Sequence, residues 1–271
     1  MSEVESDTVV DGLDHAECVT VGPDGLLYAG SESGAIYRID PTTGTTETIA
    51  QTGGFVLGLA FDGDGALYIC DNGRSEVLRM PAGGTPAVYS SGSPERPMRT
   101  PNYAAFDADG SLFVTDSGSW GSSDGCIFRV ARDGSTTVFS EAASGFPNGI
   151  ALSTDGAHLY VVESLPPRIT AIAISDGSSE TVIELPGVVP DGIALDAEGT
   201  AYISCYRPDA ILRLGTDGSL STFDEDWQGT RLAAPTNIAF AGTNLYVANF
   251  ARWHIERLTA PVPGLPLRYP R

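Results

Sequence analysis

The chain contains no lysine: all 15 of its basic residues are arginine, set against 35 acidic residues, for a formal net charge of -20. A surface this one-sided repels a phosphate backbone or an anionic bilayer, which argues against nucleic acid and membrane as partners while attracting cations. Long hydrophobic runs are missing too, so no segment is suited to crossing a bilayer. The opening MSEVESDTVV is acidic and lacks both the basic and the apolar region of a secretory leader. The expectation is a cytoplasmic protein, monomeric or weakly homo-oligomeric, acting on a small molecule. Cysteine is scarce: Cys18, Cys70, Cys126 and Cys205 show no C-x-x-C spacing, and three lie in apolar, strand-like runs, which reads as buried thiols in a reducing compartment. Histidine is scarcer still, with only His15, His158 and His254, and no G-x-S-x-G elbow accompanies them, which argues against a serine-nucleophile triad.

Glycine (32) and proline (18) are plentiful beside 42% hydrophobic residues, a mixture that suits many short strands joined by turns. A repeat organises them. Six copies of one pattern occur: ECVTVGPDGLLYAGS from Glu17, LGLAFDGDGALYICD from Leu57, NYAAFDADGSLFVTD from Asn102, NGIALSTDGAHLYVVE from Asn148, DGIALDAEGTAYISC from Asp191 and TNIAFAGTNLYVAN from Thr236. Successive starts lie 40, 45, 46, 43 and 45 residues apart, the length of one four-stranded propeller blade. Each copy reads as a hairpin, and a third run follows it, such as AIYRID from Ala35 or CIFRV from Cys126, then a short fourth one. The sixth copy lacks a clear fourth strand, whereas DTVVDGL precedes the first. The pattern therefore predicts an all-β, six-bladed propeller of four-stranded antiparallel blades over residues 1–271, a single domain whose N-terminal strand completes the last blade.

In such a ring the first strand of each blade lies nearest the axis, so equivalent positions form circles around the channel. The first position reads Glu17, Leu57, Asn102, Asn148, Asp191 and Thr236. Four of the six carry a carboxylate or amide oxygen, a set costly to bury without a cation. Glu17, Asn102, Asn148 and Asp191 are therefore candidate ligands of one divalent metal. With no His or Cys among them, calcium comes first, then magnesium or manganese, with zinc and iron(II) as further alternatives. A second circle, at the end of the second strand, carries Asp71, Asp116 and Glu163, an outer acidic shell able to orient water or accept a proton.

The segments HAECVTVGPDGLLY, FPNGIAL and VPDGIALD and the recurrent G-x-I-Y-R-[IV] strand resemble the SMP-30/gluconolactonase/regucalcin family over essentially the whole chain. The triplets Pro147-Asn148-Gly149 and Pro190-Asp191-Gly192 carry the resemblance most specifically. It implies that Glu17, Asn148 and Asp191 bind a divalent metal, three positions already picked out by the repeat. The family's Arg-x-Asn-Asp-Gly motif is altered here to Arg99-Thr100-Pro101-Asn102-Tyr103: Asn102 matches, Arg99 is displaced by one residue, and Tyr103-Ala104 replaces Asp-Gly.

Together these features point to a metal-dependent hydrolase that opens a lactone, either of a sugar acid or of a related cyclic ester. Asp191 is the candidate base, with Asp116 or Glu163 as substitutes. Arg99, Asn102, Trp120, Tyr206, Phe250 and His15 are candidate substrate contacts, and the substrate is expected between blades two and four, near Arg99, Asn102 and Trp120. A phosphotriesterase-like hydrolase on the same metal and a non-enzymatic calcium-dependent binding propeller are the alternatives.

Overall fold

The computed structural model describes residues 4–270. Its 24 strands form six four-stranded antiparallel sheets, and no helix occurs among the described residues. The alternation of apolar and polar residues is what selects strands, and the Asp-Gly pairs close the hairpins. At the second of these turns Asp62 Oδ1 accepts the N–H groups of Asp64 and Ala66, while Gly65 takes a φ of 79°, a left-handed value that glycine adopts at no steric cost.

The innermost strands are Ala16–Val21, Val56–Phe61, Pro101–Phe106, Pro147–Leu152, Val189–Leu195 and Pro235–Ala241, in blades 1 to 6. Each packs against the innermost strands of its two neighbours, so the six close a ring. The core lies between blades. Tyr68, Cys70 and Val77 of blade 2, for example, meet Phe106, Leu112, Val114 and Phe128 of blade 3. Burying a side chain such as Leu112 contributes roughly 2–3 kcal/mol. All four cysteines are free, buried and within strands, and burial pushes the thiols of Cys126 and Cys205 up to about 12, which keeps them unreactive.

The expected closure is present. Strand Ser6–Val10 pairs antiparallel with His254–Thr259, setting Asp7 opposite Arg257. Arg257 binds the Asp7 carboxylate through Nε (2.9 Å) and Nη2 (2.7 Å). The edge that blade 6 would otherwise expose is thereby covered.

At one end of the channel the C-terminal segment crosses the ring. Ala197 N–H donates to Pro263 O, Leu265 N–H to Leu195 O, Gly63 N–H to Pro270 O and the Tyr269 hydroxyl to Val21 O, so the segment touches blades 1, 2 and 5. Beneath it lies a cavity of about 120 Å³, lined mainly by apolar residues such as Tyr103, Ile150, Ile193 and Ile238. This cavity carries little for chemistry to act on. The polar ring is at the opposite end, where the innermost strands begin.

Candidate functional site

A β-bulge marks the first position in every blade. The register of each innermost strand slips where Glu17, Leu57, Asn102, Asn148, Asp191 or Thr236 sits, leaving that residue without a cross-strand partner. A bulge bends the strand and re-aims the side chain, and six of them turn this position towards the axis. Asn102, Asn148 and Asp191 are buried and Glu17 half-buried. The residue that follows must be small where the backbones converge: a Cβ on Gly192 would lie 2.7 Å from Thr236 O and 2.8 Å from Ser204 Oγ.

Serine hydroxyls fix the two amides. Asn102 Nδ2 donates to Ser117 Oγ (3.0 Å), which donates to Pro147 O of the next blade (2.7 Å). Asn148 Nδ2 reaches Ser164 Oγ (3.5 Å), which donates to Pro190 O (2.7 Å), and also donates to Asp191 Oδ2 (3.1 Å). With their N–H groups spent on these partners, both amides keep an oxygen for another ligand. The ring closes where Thr236 Oγ1 donates to Glu17 O (2.7 Å) and Asn237 Nδ2 reaches Glu17 O (3.3 Å) and Leu57 O (3.2 Å).

Electrostatics single out the two carboxylates. Burial, then repulsion from Asp191 and Glu32, pushes Glu17 well above the usual carboxylate range. Burial pushes Asp191 up to about 7, a rise only partly offset by the hydrogen bond from Asn148. Asp191 Oδ1 is buried with no hydrogen-bond partner. An orphaned carboxylate oxygen beside a second carboxylate and two amide oxygens fits a divalent cation, which would satisfy the orphan and cancel the repulsion. Among the described residues no group of three or more His, Cys, Asp or Glu side chains is placed to hold a metal, so the capacity of this set rests on the amides as much as on the acids.

The second circle is occupied differently. Asp116 Oδ1 accepts from Thr100 N–H (3.2 Å) and Gly118 N–H (3.0 Å), and Oδ2 from Arg99 N–H (2.7 Å). Glu163 Oε1 accepts from Gly145 N–H and Arg168 Nη2 (both 3.0 Å), and Oε2 from Arg168 Nε and Thr170 Oγ1 (both 2.6 Å). Asp71 Oδ1 takes Phe55 N–H (2.9 Å), and Asn249 Oδ1 takes Ala233 N–H (2.8 Å). In four blades, therefore, this position clamps the backbone leading into the innermost strand. The approach to the innermost strand is strained in three blades, two of them clamped: His15, Phe146 and Ala234, each two residues before a first position, have φ of 40°, 55° and 49°.

The expected substrate contacts fall into two groups. Arg99 is largely exposed and ion-paired with Asp124, and Trp120 packs edge-on against Phe146 (4.8 Å, 77°), beside blades 3 and 4. His15, Tyr206 and Phe250 lie elsewhere around the mouth. The Phe250 ring is 5.1 Å from His15, 6.5 Å from Tyr206 and 6.4 Å from Phe55. His15 Nδ1 faces Asp14 (3.1 Å) and Glu32 (3.2 Å). Phe55, Phe146 and Glu32 were not among the expected residues. The signal for the two phenylalanines was the repeat itself, since both stand two residues before a first position.

Residues 16–250 match the family described as the SMP-30/Gluconolactonase/LRE-like region. The chain is 27% identical to a pentonolactonase of Haloferax volcanii over 229 residues, covering 81% of this chain and 74% of that one. It is 27% identical to a gluconolactonase of Zymomonas mobilis over 214 residues, covering 73% of this chain and 51% of the relative. Among solved structures, a gluconolactonase from Xanthomonas campestris superposes with a TM-score of 0.82 at 21% identity, covering 96% of this chain and 91% of that one. Regucalcin, a calcium-binding protein from Agrobacterium tumefaciens, does so at 0.81 and 19%, covering 99% and 97%. At these identities the two structures bear on the fold.

Two tests follow from this geometry. A carboxyl whose pKa is raised on folding stabilises the native state at pH below its unfolded value and loses that contribution as pH rises through the folded one. Protein stripped of divalent ions should therefore melt at progressively lower temperature as pH rises from about 4 to about 7. Asp191→Asn should flatten that slope, and an identical slope in the variant would refute the assignment. Ser164→Ala, which frees the Asn148 amide, should weaken calorimetrically measured Mn²⁺ binding roughly 10–100-fold with the fold intact. Unchanged affinity would show that the serine does not orient a ligand.

Proposed function

The chain belongs to the SMP-30/Gluconolactonase/LRE-like family, and from that premise we propose that it hydrolyses a lactone at the axial ring, using one divalent ion held by Glu17, Asn102, Asn148 and Asp191. The observation that carries this reading is the buried Asp191 Oδ1, which has no hydrogen-bond partner although Asn148 donates to the other oxygen of the same carboxylate at the axial ring. The pentonolactonase and gluconolactonase relatives support a lactone as substrate, whether of a sugar acid or a related cyclic ester. The all-oxygen donor set favours calcium, magnesium or manganese over zinc or iron(II). A divalent ion bound there supplies the charge that polarises the ester carbonyl and stabilises the oxyanion.

The residues of the chain do the rest. Asp191 orients a water molecule and takes its proton on the carboxylate as the water oxygen adds to the carbonyl carbon. When the tetrahedral adduct collapses, the ring C–O bond breaks and the proton passes from Asp191 to the departing alkoxide, leaving a hydroxy acid. Asn148 keeps Asp191 in place through its hydrogen bond to Oδ2. We assign Asp116 and Glu163 to the scaffold instead of proton transfer, because backbone, arginine and threonine donors occupy both oxygens of each.

Chelator-stripped protein should lose the opening of a lactone panel and regain it when a divalent ion is returned. Asp191→Asn should lower kcat by roughly 10²–10⁴-fold, and Asp116→Asn should act mainly on thermal stability. Full activity in the stripped protein, or in Asp191→Asn, would overturn the mechanism.

A further inference from the structure

Aromatic rings gather at the mouth above the axial ring, with the carboxylates of Asp14 and Glu32 beside His15 at its edge. Positions two residues before the ring residues are His15, Phe55, Thr100, Phe146, Val189 and Ala234, a collar without a single carboxylate, amide, lysine or arginine. A second tier leans on it. Phe250 of blade 6 contacts rings from blades 1, 2 and 5, namely His15, Phe55 and Tyr206, and side chains of blades that are not neighbours can meet in this way only close to the axis. Trp253 also packs against His15, at 4.6 Å. Across the mouth, Trp120 and Phe146 form an opposing wall. Phe55, Phe146, Tyr206 and Phe250 are half-buried, so each keeps part of its ring open to solvent.

The polar donors next to the ring are largely engaged, which leaves the His15 ring, the Tyr206 hydroxyl and the indoles of Trp120 and Trp253 on the walls. Thr100 Oγ1 donates to Gly118 O, and the amides of Asn102 and Asn148 donate to Ser117, Ser164 and Asp191. Arg99, Arg168 and Arg207 are engaged by Asp124, Glu163 and Asp209. A polyhydroxylated lactone brought under these walls would leave several hydroxyls without partners, each at a cost in free energy. An alkyl or aryl group would instead exchange water for aromatic surface on both sides.

Resting on the lactonase reading, we propose that the preferred substrate is a lactone bearing an apolar alkyl or aryl substituent, gripped between Phe250–Phe55 and Trp120–Phe146, with Phe250 as the specificity-determining residue. The test compares kcat/KM for a δ-lactone carrying a pentyl chain with that for an aldono-δ-lactone of the same ring size. The expected result is a preference for the alkyl lactone of roughly tenfold or more, most of it lost in Phe250→Ala or Phe55→Ala. Trp227→Ala, in the turn after the outermost strand of blade 5 where the side chain is 83% exposed, should retain the preference. A preference for the aldonolactone, or equal loss towards both substrates in Phe250→Ala, overturns the proposal while leaving lactone hydrolysis intact. If neither lactone is opened with any divalent ion, the lactonase reading fails, and binding decides the specificity separately. The unreactive δ-lactams with the same substituents are then titrated by tryptophan fluorescence, which reports on this face because Trp120 packs on Phe146 and Trp253 on His15 there. Tighter binding of the pentyl lactam upholds the apolar grip, and equal or weaker binding overturns it.

Discussion

Glu17 and Asp191 repel one another at the mouth of the channel, and the architecture around them holds that repulsion in place. Left alone, two carboxylates in a poorly solvated space would swing apart or take up protons. Here the bulges fix their direction, Asn148 holds one oxygen of Asp191, and the backbone of Glu17 is tied to blade 6 through Thr236 and Asn237. The result is a pair of mutually repelling carboxylates in a protein whose net charge of -20 already draws cations to it.

A division of labour among polar groups follows from the blade geometry. Innermost strands carry the groups that face the axis, and second strands carry those that hold the innermost strands. Asp71, Asp116, Glu163 and Asn249 clamp the segments leading to the mouth, including the stretch around Phe146 and Ala234 where φ is positive. The same clamps hold the backbone that carries Phe55 and Phe146 of the collar, so the ring and the collar depend on one network. At the far end the C-terminal segment spans blades 1, 2 and 5, away from the polar ring.

Much of this was legible in the sequence because a propeller writes its geometry as a repeat. Six spaced hairpins, the missing fourth strand of blade 6 and the polar first positions predicted the ring, its closure by Ser6–Val10 and the meeting of Glu17 and Asp191 near the axis. What a period-2 pattern conveys is which face a side chain takes, and it carries nothing about which donors wait there. Asp116 and Glu163 accordingly read as an outer acidic shell, although backbone N–H groups and Arg168 occupy their oxygens. The left-handed conformations of Phe146 and Ala234 left no mark either, because Glu163 and Asn249, which hold the backbone beside them, come from a different strand. Phe55 and Phe146 were visible in principle, at a repeat offset that becomes informative only once the mouth is known to lie there.

The most direct test of this account is a crystal of the protein soaked in Mn²⁺ and measured at a wavelength where manganese scatters anomalously. The account predicts one dominant peak on the propeller axis, within coordination distance of oxygens from Glu17, Asn148 and Asp191. No peak there, or a dominant peak elsewhere on the acidic surface, would contradict it.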